Sequence, residues 1–143
     1  MNVVRLWPNG SYLLYQEEDG TSNIDKSRLQ NANWCVLVAI NDDTASIVGY
    51  LLGCDWDRYL KTSFQTAKMD LSQGGRVAKL EEVLVLPEHQ KKGVGTLLVR
   101  KFEEWARLAG CKRVQLGGGP APDFYKTIGY NRVGPFFTYL KEL

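Results

Sequence analysis

The chain has little from which to build a metal centre. Histidine occurs once, at His89, and the three cysteines, Cys35, Cys54 and Cys111, stand far apart with no Cys-x-x-Cys pair. A zinc site needs three or four such ligands at close spacing, so no metal site is expected. An odd number of separated cysteines also argues against a disulfide framework. Two of them sit inside apolar runs, which predicts buried free thiols in a reducing compartment. Neither sign of charge is in excess: 18 Lys and Arg face 16 Asp and Glu, for a net charge of +2. The strong basic excess of nucleic-acid and membrane-surface binders is missing. Lys91, Lys92, Arg100, Lys101, Lys112 and Arg113 are dispersed and are offset by Glu103 and Glu104. No apolar run reaches the ~18 residues of a membrane span, and residues 1–5 lack the apolar core of a secretion signal. These absences predict a cytoplasmic protein without a nucleic-acid or membrane partner.

No repeat, low-complexity tract or linker breaks the chain. Its 143 residues suit one domain of α/β class. Residues 3–6 and 12–15 are short strand candidates around the turn Pro8-Asn9-Gly10, and residues 25–31 could make a helical turn. Residues 34–40 and 47–54 read as a hairpin around Asn41-Asp42-Asp43. A long polar connection, 55–76, precedes a strand at 78–86 that Pro87 ends. Over 94–109, Val94, Leu97, Leu98, Phe102, Trp105 and Ala109 recur at helical spacing, and Gly110 stands where a helix stops. A strand at 113–116, a short helix at 121–128 ending at Gly129, and a strand at 136–140 complete the order. That order predicts a mixed, mostly antiparallel central sheet flanked by helices, with one strand–helix–strand crossover.

The crossover carries the chemistry. An apolar strand ends at Pro87, and Glu88-His89-Gln90-Lys91-Lys92-Gly93-Val94-Gly95-Thr96 then opens directly into the helix. The first N–H groups of a helix lack intrahelical partners, and the helix dipole adds roughly half a positive charge there. Gly93 and Gly95 let a bulky anion approach the main chain, and Lys91 and Lys92 add formal charge. A pyrophosphate-bearing cofactor suits such a turn.

Three segments together resemble the GNAT N-acetyltransferase superfamily. The strand Leu80-Glu81-Glu82-Val83-Leu84-Val85 leads into Gln90-Lys91-Lys92-Gly93-Val94-Gly95, which is similar to the family's Q/R-x-x-G-x-G/A signature. The helix ends in Ala109-Gly110-Cys111 before a strand. Ala121 with Phe124-Tyr125-Lys126-Thr127-Ile128-Gly129-Tyr130 looks like the family's FYxxxGF segment. The resemblance covers residues 34–142 and implies a GNAT fold with a shortened N-terminal region. It implies that Gln90, Lys91, Lys92, Gly93, Val94, Gly95 and Thr96 hold the pyrophosphate of acetyl-coenzyme A. It further implies that Val83, Leu84 and Val85 flank the pantetheine arm, with a backbone N–H near Val83 as the oxyanion donor. Gly118 stands where the family commonly has asparagine.

Amine acetylation needs a neutral amine, a stabilised oxyanion and a proton for the departing thiolate. A lysine-like amine has a reference pKa of ~10.4, so a carboxylate must take its proton. Glu81 and Glu82 stand on the flanking strand, and alternation lets only one point into a cleft. Glu81 shares the face of Val83 and Val85, and by resemblance to polyamine acetyltransferases it matches their functional carboxylate; Glu82 stays open as the alternative. Tyr125 matches the tyrosine that lies near the coenzyme sulfur in many GNAT enzymes, where a phenol can serve as general acid. In the 55–76 connection, Asp55, Trp56, Asp57 and Tyr59 mix carboxylates with aromatics, which suits a cationic amine. That mixture resembles in character the acceptor clefts of aminoglycoside and polyamine acetyltransferases. The expectation is direct acetyl transfer to a primary amine of a small cationic molecule, with a homodimer as one open oligomeric state. A protein or peptide acetyltransferase and a non-catalytic coenzyme A-binding regulatory module are the alternatives.

Overall fold

The computed structural model describes residues 1–5, 33–56, 76–117, 122–134 and 138–143. The strands are β1 (Asn2–Arg5), β2 (Trp34–Ile40), β3 (Ile47–Asp55), β4 (Val77–Val85), β5 (Arg113–Gly117), β6 (Asn131–Gly134) and β7 (Thr138–Glu142). Helix α1 spans Val94–Leu108, α2 spans Pro122–Thr127, and a 3-10 turn covers Pro87–His89. The strands hydrogen-bond in the order β1-β2-β3-β4-β5-β7-β6. β4 and β5 are parallel neighbours, as a crossover through α1 requires, whereas β1 with β2, β5 with β7 and β6 with β7 are antiparallel. The mixed, mostly antiparallel sheet read from the sequence is the sheet observed. The strand candidate at 12–15 and the helical turn at 25–31 lie outside the described residues.

The chain divides into two compact units, residues 1–53 with 82–102 and residues 54–81 with 103–143. In the first, β2 and β3 are apolar on both faces: Cys35, Val36, Val38, Ala39, Val48, Leu51 and Leu52 are all buried. Continuous apolar runs of this kind are what an interior strand needs. Their connection is longer than a tight turn. Asn41 N–H bonds the Ser46 carbonyl at 2.8 Å, and the Asn41 side chain accepts the Asp43 N–H at 2.9 Å. Gly49 on β3 has a steric reason to be glycine, since a Cβ there would stand 2.9 Å from the Leu84 carbonyl oxygen.

In the second unit, both helices end in the same way. Gly110 has φ +94°, its N–H bonds the Arg107 carbonyl, and the Cys111 N–H reaches back to Ala106. Gly129 has φ +100°, with Gly129 N–H on Lys126 and Tyr130 N–H on Tyr125. This paired bonding consumes carbonyls that the helix leaves open, and only glycine adopts that φ without strain. The sequence placed both stops correctly. It missed β6, whose side chains at Asn131, Arg132 and Val133 are all exposed. An edge strand with no buried face has no alternation to read. β7 is described from Thr138 to Glu142; the predicted start at 136 lies outside the described residues.

Candidate active site

The turn between β4 and α1 belongs to the first unit. The Leu86 N–H bonds the Val48 carbonyl at 2.9 Å, which ties the end of β4 to β3. His89 N–H then closes on Leu86 at 2.9 Å, and Gln90 N–H on Pro87 at 3.3 Å. The Gln90 side chain turns back, its Nε2 donating to the Val85 carbonyl at 2.9 Å, so this residue holds the turn's shape. Lys91 and Gly93 both take positive φ, 60° and 86°. The helix ladder starts with Leu97 N–H on the Gly93 carbonyl at 3.0 Å. Helix geometry therefore leaves the N–H groups of Val94, Gly95 and Thr96 without intrahelical partners. The first turn of α1 carries no carboxylate. Lys91, Lys92 and Gly93 are exposed, and no atom lies within 4 Å of the position a Gly93 Cβ would take. A donor-rich, open helix start with no carboxylate in its first turn, beside two lysines, fits a pyrophosphate.

The two glutamates of β4 have different neighbours. Glu82 is half-buried and accepts a hydrogen bond from the hydroxyl of Tyr50, which is itself 2% exposed. Burial, and then the Glu82 carboxylate, raise the Tyr50 phenol well above its ordinary range, so it stays a donor. Glu81 instead pairs with Lys79, Oε1 to Nζ 3.2 Å. Lys79 Nζ also lies 4.3 Å from the centroid of the Trp56 ring. The parallel register of β4 with β5 runs from Val77 to Leu80 against Arg113 to Leu116. Glu81, Glu82, Val83, Leu84 and Val85 come after it.

Asp55 is not turned towards a partner in solvent. Its side chain is 2% exposed and ion-pairs the Arg76 guanidinium, tying the end of β3 to the start of β4. Asp57 and Tyr59 lie outside the described residues, as do Gly118 and Ala121. Burial pushes the Cys54 thiol up to about 12, with the Glu81 charge adding to it, and burial also raises Cys35 to about 12. Neither thiol is a nucleophile near neutral pH. Among the described residues no cluster of His, Cys, Asp and Glu is placed to hold a metal.

Tyr125 lies in the second unit, on α2, and is 8% exposed. Its ring meets Phe124 at 5.0 Å and stands edge-on to Tyr130 at 6.0 Å between centroids. Burial raises its phenol above the ordinary range, so the group is protonated at neutral pH. Behind it is a cluster that sequence reasoning missed. Glu103, on α1, is 3% exposed; Tyr130 donates to its Oε2 at 3.0 Å and Lys141 to its Oε1 at 3.2 Å. Lys141 also donates to the Ile128 carbonyl at 2.9 Å, at the C-terminal end of α2. Glu103 reads as polar-face charge because Arg100, Lys101 and Glu104 surround it in sequence. The available signal was its spacing, four residues after Val99 and three before Ala106, both of them buried.

The pattern that defines the acetyltransferase (GNAT) family matches residues 3–130. The chain belongs to that family. With it comes membership of a family of acyl-coenzyme A-dependent N-acetyltransferases. An aminoglycoside N(6')-acetyltransferase type 1 of Klebsiella aerogenes is 28% identical over 142 residues, covering 96% of this chain and 84% of its own. Another of that description, from Acinetobacter genomosp. 13, is 28% identical over 106 residues, covering 73% of this chain. There the match spans only 66% of the relative's length. Among solved structures, an aminoglycoside N-acetyltransferase in complex with coenzyme A superposes with a TM-score of 0.72 at 17% identity, covering 93% of both chains. At that identity the likeness shows the GNAT fold. Among the described residues, no helix is long and apolar enough to cross a membrane.

Proposed function

We propose that this protein transfers the acetyl group of acetyl-coenzyme A directly to a primary amine of a small cationic molecule in the cytoplasm. The observation that carries the cofactor half is the turn 90–96, whose open N–H groups, left-handed Lys91 and Gly93, and absent carboxylate suit a pyrophosphate. The relatives' names support the acceptor half, since both full descriptions are of aminoglycoside N(6')-acetyltransferases.

The co-substrate supplies an activated thioester whose carbon–sulfur bond is exchanged for a carbon–nitrogen bond. Lys91, Lys92 and the main chain of Gly93, Val94, Gly95 and Thr96 hold its phosphates. Val83, Leu84 and Val85 follow the stretch of β4 in register with Arg113–Leu116 of β5, and their main chain flanks the pantetheine arm, an N–H near Val83 polarising the thioester carbonyl. Glu81 takes the proton of the incoming ammonium, directly or through a water. Its carboxylate is partly exposed and already faces a primary ammonium, that of Lys79. Glu82, bound by the buried Tyr50 hydroxyl, fixes the strand instead. Tyr125, kept protonated by burial, gives its proton to the departing sulfur.

The assignments separate in kinetics. Glu81→Gln is expected to lower kcat by about a hundredfold or more, a usual size for a lost general base, with the KM for acetyl-coenzyme A unchanged. Tyr125→Phe should lower kcat in the same way, and Glu82→Gln should chiefly lower stability. A Glu82→Gln variant that loses turnover while Glu81→Gln keeps it would reverse the two glutamates. Unchanged turnover in Tyr125→Phe would remove the general acid.

A further inference from the structure

Two residues of the second unit, Trp56 and Glu81, flank one cation, the ammonium of Lys79. Lys79 and Glu81 are two apart on β4, so strand alternation puts both side chains on one face. Trp56 follows directly on the end of β3, the strand beside β4. The Lys79 ammonium is 4.3 Å from the Trp56 ring centroid and 3.2 Å from the Glu81 carboxylate. Lys79 and Glu81 are 33% and 30% exposed, and an ion pair this wet contributes little to stability. An aromatic face and a carboxylate converging on one nitrogen are, however, what recognises an alkylammonium. The arrangement is therefore an alkylammonium site that holds a lysine of its own chain.

We propose that Trp56 and Glu81 form the cation subsite of the acceptor, and that Lys79 is a tethered competitor which the acceptor's ammonium must displace. The proposal rests on the reading of Glu81 as the group that meets the acceptor amine. A group tethered at short range acts at an effective concentration of roughly millimolar or more. A simple monoamine competes poorly against it. An acceptor with several ammonium groups makes further contacts and displaces Lys79 with one of them. Lys79 thus selects polyamino acceptors over monoamines, by obstruction as much as by attraction.

Two measurements test this. In the first, KM is measured for n-butylamine and for a multiply charged aminoglycoside. Lys79→Met, which keeps length and loses charge, is expected to lower the butylamine KM by about tenfold, with less than about a threefold change for the aminoglycoside. Lys79→Arg keeps a cation on the ring and the carboxylate, so its butylamine KM should be no lower than that of the unaltered protein. An unchanged or raised butylamine KM in Lys79→Met, or an equal shift for both acceptors, overturns the proposal. The second uses the unaltered protein and needs no turnover. Lysines are labelled with N-hydroxysuccinimidyl acetate while tetramethylammonium, which has no N–H to react, is titrated against sodium chloride of equal ionic strength. Lys79 labelling should rise as it is displaced, while the exposed Lys112 stays constant; no rise at Lys79 overturns the subsite. A protein that transfers acetyl to no amine sinks the functional reading, and the labelling still decides whether the subsite exists.

Discussion

Single residues show where burial decides chemistry. Cys35 and Cys54 are both fully buried, and that burial lifts their thiols from 9.0 to about 12. The unfolded chain's thiols lose protons near 9.0, while the folded chain keeps them until about 12. The stabilisation is therefore complete below pH 9 and is lost as pH rises from there towards 12. Urea midpoints should be level between pH 7 and 8.5 and fall steadily above pH 9, while a thiol reagent should modify Cys35 and Cys54 at pH 8 only after urea is added. Rapid labelling of the native protein would contradict the burial. The inertness of these thiols was legible in the sequence, because Cys35 and Cys54 lie within apolar runs. The places of Asp55 and Glu103 were not. Each is a carboxylate whose partner lies far along the chain, Arg76 for Asp55 and Lys141 for Glu103. Composition and spacing give a charge its sign but not its distant partner.

Among the elements, the β4 turn depends on backbone that only certain residues adopt. Gly93, at φ +86°, has open space around it, so Gly93→Ala is opposed by conformation alone and should cost about 1 kcal/mol. Gly93→Asn should cost less, since asparagine tolerates the left-handed region better. Gly49→Ala fails for a different reason, because its Cβ would press on the Leu84 carbonyl oxygen at 2.9 Å. Backbone cannot swing aside as a side chain can, so a loss of about 2 kcal/mol is expected. Denaturant midpoints of the three variants check the order, and Gly49→Ala as stable as the unaltered chain would contradict the close approach. The elements themselves were mostly readable. Residues 34–40 are predicted and observed as one strand, and both glycine helix stops hold. Each rests on a local signal, an apolar run or a glycine that must take positive φ. β6 offers neither.

At the scale of the whole molecule, the order of the seven described strands, with its parallel β4–β5 pair, follows from a crossover through α1 among antiparallel strands. The strand–helix–strand order in the sequence specified that crossover, three separated motifs carried the family resemblance, and the family match over residues 3–130 agrees with them. The acceptor was less legible. Of its four candidate residues, Asp55 is committed to Arg76 and Trp56 to a lysine that the motifs never marked. The central claim is acetyl transfer to a small amine. The direct test incubates the purified protein with acetyl-coenzyme A and a panel of aminoglycosides, polyamines and lysine peptides, reading free thiol and product mass together. The account predicts thiol release that requires an amine, with one acetyl mass added to an aminoglycoside or polyamine. Coenzyme A binding without amine-dependent thiol release, or acetylation confined to the peptides, would contradict it.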